Sequence, residues 1–392
     1  MKDRDLKGIS ANVLLLGVVS FLNDLSSEMI IPILPMFIIA LGGGGFIIGL
    51  IGGLQESISS ILKVLSGYWS DRIGRRKIFV TSGYFTSAVF KLFLSVSTLW
   101  QQILVFISFE RVGKGLRTAP RDAIIADSMP EARGKGFGIH RALDTSGAIL
   151  GGIAALIFYW AFGLGFGFII FIAAIVAFIS LLPLYFVKEG KRDPQRIRLQ
   201  VSIKKLPKPL KLFIMVASVF ALANFTYMFF IYKALDTFTL TEVKDPIAHA
   251  IFLYVLFNIF YAMFAIPFGT LSDRVGKAKV LILGYFLFSL TCLGFAFSDS
   301  LAAFLVLFPL YGVVYAMVDG NQRAFVSDLS TEDLRATALG TYHTLIGMIA
   351  LPASMIAGFL WTITPSSTFL FGSSVSIISV ILFVVLRNYF KD

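Results

Sequence analysis

Stretches of roughly 20 mostly apolar residues, each long enough to cross a hydrocarbon core, recur throughout this chain. They lie near 11–40, 46–66, 78–97, 100–120, 136–160 and 163–187, then near 212–235, 247–268, 280–297, 301–322, 336–361 and 367–387. That is twelve, in two sets of six, and no soluble chain of 392 residues has buried cores for so many. Lipid is therefore the solvent. Backbone polar groups inside lipid must be bonded internally, which leaves helices or a closed barrel. The alternating period of a barrel strand is absent, so the spans are predicted to be helical. Composition agrees: 57% of residues are apolar and 15% charged, against roughly a quarter charged in a soluble domain. A soluble enzyme, a disordered chain and a secreted disulfide scaffold are excluded. One cysteine, Cys292, allows neither a disulfide within the chain nor a cysteine metal site.

The basic start, Met1 to Ser10, resembles the n-region of a signal peptide. The apolar stretch behind it is too long, contains Asp24 and Glu28, and has no small-residue cleavage site. It reads as a retained transmembrane helix. Lys and Arg orient the chain. Lys233 and Lys244 are the two that fall in loops opposite the termini, while most of the 34 lie in loops on the termini's side. The positive-inside rule then places both termini in the cytoplasm, and the expected location is a prokaryotic inner membrane, crossed many times. The net charge of +11 reflects that topology, and no nucleic-acid partner is expected. The longest basic segment, 188–211, divides the chain into an N-terminal six-helix bundle (1–187) and a C-terminal one (212–392). Topology alone accounts for such a linker; contact with anionic lipid or a regulatory role is the other reading.

A motif occurs twice at nearly half the chain length. Gly67-Tyr-Trp-Ser-Asp71-Arg72-Ile-Gly74-Arg75-Arg76-Lys77 follows span two, and Gly269-Thr-Leu-Ser-Asp273-Arg274-Val-Gly276-Lys277-Ala-Lys279 follows span eight. Asp127, Arg133 and Gly138 after span four are likewise answered by Asp328, Arg335 and Gly340 after span ten. Repeated halves are how many secondary transporters are built. Gly74 and Gly276 permit positive φ in a short helix–helix turn, and Asp71 and Asp273 stand where a carboxylate can pair or cap.

The repeated motif resembles the signature loop of the major facilitator superfamily, and the resemblance covers the whole chain. It implies two pseudo-symmetric six-helix bundles with a substrate site between them. It also implies a latch at the cytoplasmic gate formed by Gly67, Asp71, Arg72, Gly74, Arg75, Asp273 and Arg274. Span four brings Arg117 and Arg121 to the level of Asp71, so Asp71 is expected to pair with them when the cavity opens outward and to part from them when it opens inward. A topology anchor is the plainer reading. Two further segments are similar to the drug:proton antiporter branches. Arg111-Val-Gly-Lys114-Gly115-Leu-Arg117-Thr-Ala119 in span four has Lys114 where Gln is usual. Gly138, Gly147, Gly151 and Gly152 in span five have Gly152 where Pro is usual, and Ala155-Leu156 in place of the final Gly pair. Small residues also let helices approach closely.

Charged groups at the bilayer centre cost about 2.5–3.5 kcal/mol each. The N-terminal half carries eleven: Asp24, Glu28, Glu56, Glu110, Asp144, Lys63, Lys91, Arg111, Lys114, Arg117 and Arg141. Left dry and unpaired they would cost about 30 kcal/mol, more than a fold's whole stability. They are expected to pair or to line a wet cavity. Helical rise puts Asp24 about 20 Å along span one and Asp144 about 12 Å into span five. Asp24 and Glu28 are i, i+4 and share a face. Two carboxylates so placed do not both ionise cheaply, so this pair is the expected proton site, with Glu56, Arg111 and Asp144 as further coupling residues. The opposing reading makes both structural. Lys91 and Glu110 are expected to form an ion pair. His140 and Asp144 are also i, i+4, yet nothing in the spacing requires a metal, and no cofactor is expected.

The C-terminal spans have few ionisable groups and many of the 40 Phe. The candidate substrate residues are Asp24, Glu28 and Gln55 in the first half and Asn224, Tyr227, Asn258 and Tyr261 in the second. The resulting expectation is a monomeric proton-coupled carrier, not an enzyme, exporting amphipathic or cationic small molecules by alternating access. An organic-anion or phosphate-ester carrier is the alternative, motivated by Lys114, Arg117, Arg121 and Arg141. A non-transporting membrane sensor is the remaining one.

Overall fold

The computed structural model describes residues 9–190, 203, 206–331 and 334–390, and every regular element among them is helical. The first six spans are α1 (Ala11–Ile30) continued by α2 (Leu34–Ala40), α3 (Gly45–Ile73), α4 (Arg76–Ser95), α5 (Trp100–Ser128), α6 (Arg133–Trp160), and α7 (Phe166–Ile179) continued by α8 (Leu181–Phe186). The second six are α9 (Lys208–Ala223) continued by α10 (Met228–Leu240), α11 (Pro246–Val275), α12 (Lys277–Phe297), α13 (Leu301–Asp328), α14 (Arg335–Ile363) and α15 (Pro365–Leu386). Eleven of these spans are long and apolar enough to cross a bilayer by composition alone. The remaining one, α5, carries Glu110, Arg111, Lys114 and Arg117 along its middle. The all-helical twelve-span architecture is as the sequence predicts.

Several helices run further than their apolar stretches. α3, α5, α11 and α13 each extend about two turns beyond the expected end on the termini's side, because helical hydrogen bonding continues once the chain leaves lipid. The repeated motif is therefore mostly helix: Gly67 to Ile73 are the last turns of α3. The turn proper is Gly74, at φ +72°, and its counterpart Gly276, at φ +99°, both in the region that glycine enters without steric cost.

Spans one and seven are interrupted. Residues 31–33 break the first, where Pro32 has no N–H to give. Residues 224–227 break the second. Interrupted helices are where transporters expose backbone and side chains to a substrate.

The described residues of Met1–Gly42 and Ile58–Leu199 form one compact unit, and those of Gly43–Ser57 and Gln200–Asp392 the other. In the first, α1 lies against α6 and α4 against α5. Glycine makes both approaches possible. A side chain at Gly147 would overlap the Phe21 carbonyl, and one at Gly151 would sit 2.8 Å from Glu28 Cβ. Gly83 and Gly113 face each other, so a Cβ on Gly83 would lie 2.6 Å from the Gly113 carbonyl oxygen. Lipid tails are as apolar as leucine, so close packing of this kind, rather than hydrophobic transfer, holds helices together here.

In the second unit the core is aromatic. Phe220 stacks on Tyr285 at 3.8 Å between ring centroids and Phe230 on Tyr311 at 4.1 Å, with Phe225, Phe288, Phe295 and Phe369 around them. Such pairs contribute about 0.5–1.5 kcal/mol each beyond the area they bury. Many of the Phe of these spans are thus packed between helices.

Candidate functional site

Within the first unit, α1 brings Ser20, Asn23, Asp24, Ser26, Ser27 and Glu28 to face α4, α5 and α6. The carboxyl groups of Asp24 and Asp144 lie within hydrogen-bonding reach of each other, and Arg141 Nη1 is 3.1 Å from Asp144 Oδ2. The i, i+4 spacing placed Asp24 beside Glu28; the structure sets a second carboxyl, that of Asp144, beside Asp24. Helical neighbours on α1 share a face, yet a carboxyl that meets Asp24 comes from α6, and Glu28 is a further electrostatic neighbour of Asp24. The α1–α6 approach at Gly147 and Gly151 is what closes the gap. An ionised carboxylate only accepts hydrogen bonds. Two carboxyl groups therefore bond each other only when one of them carries a proton.

Below this pair, four helices converge on one hydroxyl. Ser20 Oγ is 2.8 Å from His140 Nε2, 3.2 Å from Tyr84 OH, and accepts from Arg121 Nη1 at 3.1 Å. Arg121 also holds Asp122 at 2.9 Å. Arg117 lies with its guanidinium 4.5 Å over the Tyr84 ring and donates to Ser87 Oγ. Neither arginine pairs with Asp71.

Lys91 is 1% exposed. It donates to Ser26 Oγ at 2.9 Å and Ser27 Oγ at 2.8 Å, the last turn of α1 before its break. The ion pair foreseen between Lys91 and Glu110 takes another form. Glu110 Oε2 stands 3.1 Å from Arg111 Nε, close enough for an ion pair though not aligned as a hydrogen bond. Lys91 remains an electrostatic neighbour of Glu110. Adjacency in sequence wins because Arg111 reaches the carboxylate without crossing to another helix.

In the second unit, Asn224 and Tyr227 sit at the break between α9 and α10, and Asn258 and Tyr261 on α11. Asn224 Oδ1 and Asn258 Nδ2 are buried without a hydrogen-bond partner among the described residues. Tyr261 donates to Asp319 Oδ2 at 3.2 Å, and its ring lies 6.1 Å from that of Tyr315. Gln55 is buried and Glu56 exposed on the part of α3 that belongs to this unit, where Glu56 is an electrostatic neighbour of Tyr315 and Tyr342.

The repeated motif builds the same device in each unit. Arg76 bridges Asp71 at 2.6 Å and Asp127 at 2.6 Å. Lys277 bridges Asp273 at 3.1 Å and Asp328 at 2.8 Å. A cation from the helix after the turn thus joins two carboxylates from the helices beside it. The partner of Asp71 is Arg76, a residue not among the expected latch residues, rather than Arg117 or Arg121. Arg72 donates instead to Tyr68 at 3.0 Å, and Arg75 and Arg274 are exposed. The signal for the true arrangement was the repeated Asp127 and Asp328. Glu189 accepts the backbone N–H groups of Arg76 and of Lys77, and Asn12 holds Lys188 through its N–H at 2.9 Å and its carbonyl at 2.8 Å. The start of the basic segment is thereby fixed to α4 and α1. Most of that segment, 191–202 with 204 and 205, lies outside the described residues.

Twelve spans, interrupted first helices in both halves, buried titratable groups at span depth and a duplicated charge clamp together define a multi-pass secondary transporter. The profile of the Major Facilitator Superfamily matches residues 16–245 and 240–391. The chain belongs to that superfamily. It is 55% identical over 382 residues to an uncharacterized MFS-type transporter of Methanocaldococcus jannaschii, covering 97% of this chain and 95% of the relative. It is 22% identical to a Na(+), Li(+), K(+)/H(+) antiporter of Planococcus maritimus, covering 90% and 91%. Among solved structures it is similar to the nucleoside transporter NupG, with a TM-score of 0.79 at 16% identity over 97% of this chain and 99% of that one.

Proposed function

We infer that this transporter is proton-coupled and exports amphipathic or cationic small molecules by alternating access, with Asp24 and Asp144 as its proton-binding pair. The observation that carries the reading is the carboxyl–carboxyl contact deep in the first unit. A pair holding one proton is able to release it when a cation or a change of surroundings stabilises the doubly ionised form. The antiporter-like segments of spans four and five support exchange, and the proton antiporter among the relatives is consistent with it. Asp24, Glu28, Gln55, Asn224, Tyr227, Asn258 and Tyr261 are the proposed substrate contacts, and Glu28, Glu56 and Arg111 the further coupling residues. The aromatic rings offer faces to an apolar or cationic ligand. The termini lie in the cytoplasm, the protein works as a monomer in a prokaryotic inner membrane, and the 188–211 segment joins two bundles in this reading.

The organic-anion reading has its own observation: Lys91, Arg111 and Arg117 are buried on α4 and α5 with Glu110 as the carboxylate beside them. Binding of paired cationic and anionic dyes of matched size to purified protein separates the two. Preference for the cationic member supports export of cations. Consistent preference for the anionic member would transfer the substrate site to those basic residues.

A further inference from the structure

Ser20 Oγ has three partners, His140 Nε2, Tyr84 OH and Arg121 Nη1. A hydroxyl offers one donor and two acceptor positions. Arg121 always donates, so one acceptor position is taken. Of His140 and Tyr84, one must donate to Ser20 and the other accept from it. Two arrangements are therefore self-consistent. In one, Ser20 donates to Nε2 and Tyr84 donates to Ser20. In the other, Nε2–H donates to Ser20 and Ser20 donates to Tyr84. The second arrangement leaves Nδ1 as the base of the neutral ring. Nδ1 has no hydrogen-bond partner among the described residues, and it is not among the polar atoms sealed away from the surface.

The ring is 4% exposed and stands one helical turn before Asp144 on α6. Side chains on a helix lean towards its N-terminus, which carries the Asp144 carboxyl over His140. The charged groups facing the ring are Arg121 and Asp122 from α5 and Arg141 and Asp144 from α6, with the Tyr84 hydroxyl from α4 and Ser20 from α1 completing the shell. A protonated ring would share the Ser20 oxygen with Arg121, a like-charge contact.

We propose that His140 is the relay through which the Asp24–Asp144 pair exchanges its proton with the side of the membrane on which the termini lie. The inference rests on the proton-pair reading above. A proton from water forms an N–H bond at Nδ1, giving imidazolium. That bond breaks as the proton passes to a carboxylate oxygen of Asp144, and the ring returns to neutrality. Ser20, Tyr84 and Arg121 are positioning residues: in the second arrangement they hold Nε2 as donor, and they are not consumed.

The test uses infrared detection of the protonated carboxyl band after a rapid pH jump, on the full chain in lipid nanodiscs with no transported ligand. Loss of the band in Asp24→Asn and Asp144→Asn assigns it to the pair. His140→Gln is expected to slow its rise and decay tenfold or more at unchanged amplitude. Free imidazole in the buffer is expected to restore the rate in His140→Ala, which a merely structural histidine would not allow. Ser20→Ala keeps the ring but frees it, and is expected to slow exchange about threefold, by analogy with losing one orienting hydrogen bond. Wild-type rates in both His140→Gln and Ser20→Ala would overturn the relay and leave the proton pair standing. Absence of the band from the wild-type protein at every pH would overturn the proton pair and the relay with it.

Discussion

Asp24 on α1 meets Asp144 on α6 carboxyl to carboxyl, and Arg141 stands 3.1 Å from the Asp144 side of that contact. The meeting is made by packing rather than by sequence neighbourhood. Two glycines, Gly147 and Gly151, bring α6 against the backbone of α1 at Phe21 and Leu25, bracketing the level of Asp24. The distribution of charge therefore depends on a steric fact several residues away.

Gly147→Leu is expected to push α6 off α1 and to separate the two carboxyls. Overpacking of this kind costs about 1–3 kcal/mol. The signature is a lowered unfolding temperature together with loss of the protonated carboxyl band. A comparable substitution at Gly138, which faces open space, should leave both unchanged.

Arg76 is the hinge of the charge clamp in the first unit. It is 7% exposed as a residue, while the Asp71 and Asp127 side chains are 33% and 38% exposed. Water screens the carboxylates, so the pairing is worth about 1–2 kcal/mol rather than the 3–5 of a fully buried pair. Arg76→Gln should raise the population of the state in which the clamp is open by roughly five- to thirty-fold. Spin-label distances across the ends of α3 and α5 on the termini's side report it. Lys277→Gln should shift its own unit less, because Asp273 and Asp328 are 69% and 54% exposed.

Glu110 and Lys91 are predicted to behave unequally. Glu110→Gln removes the carboxylate that faces Arg111, Lys91 and Arg117 together, and loss of one partner of a buried charge set costs about 3–5 kcal/mol. Lys91→Met replaces a buried cation by an apolar chain of similar length, while Arg111 stays beside Glu110. It also removes the bonds to Ser26 and Ser27, and should cost about 1–3 kcal/mol, less than Glu110→Gln. Thermal unfolding of the two variants in the same detergent makes the comparison. Equal destabilisation would mean that Lys91, not Arg111, is the effective partner of Glu110.

The span count, the duplication and the depth of the charged residues were legible in the sequence because length, apolarity and charge placement are one-dimensional properties. Pairing was not. Asp24 and Glu28 advertise themselves at i, i+4, but a further carboxyl reaches Asp24 from α6, and only the glycines hinted that α6 would come so close. Asp71 lay amid three arginines and a lysine in sequence. Choosing Arg76 required knowing that α3 runs on to Ile73, so that the turn places the first residue of α4 between Asp71 and Asp127. The duplicated Asp127 and Asp328 contained that answer, since a repeat preserves a carboxylate only at a matching place in each half. Ser20 carried no signal at all: its role comes from four helices meeting at one oxygen.

The central claim is that the Asp24–Asp144 pair couples proton movement to transport, and accumulation of ethidium in proteoliposomes under an imposed pH gradient tests it most directly. Wild-type protein should accumulate the dye when the lumen is acidic and stop when the gradient is collapsed. Asp24→Asn and Asp144→Asn should each lose gradient-driven accumulation while still inserting and binding dye, and Glu28→Gln should retain most of it. Full gradient-driven accumulation in both Asp24→Asn and Asp144→Asn would contradict the account, as would a wild-type protein that moves no dye and dissipates no pH gradient in its presence.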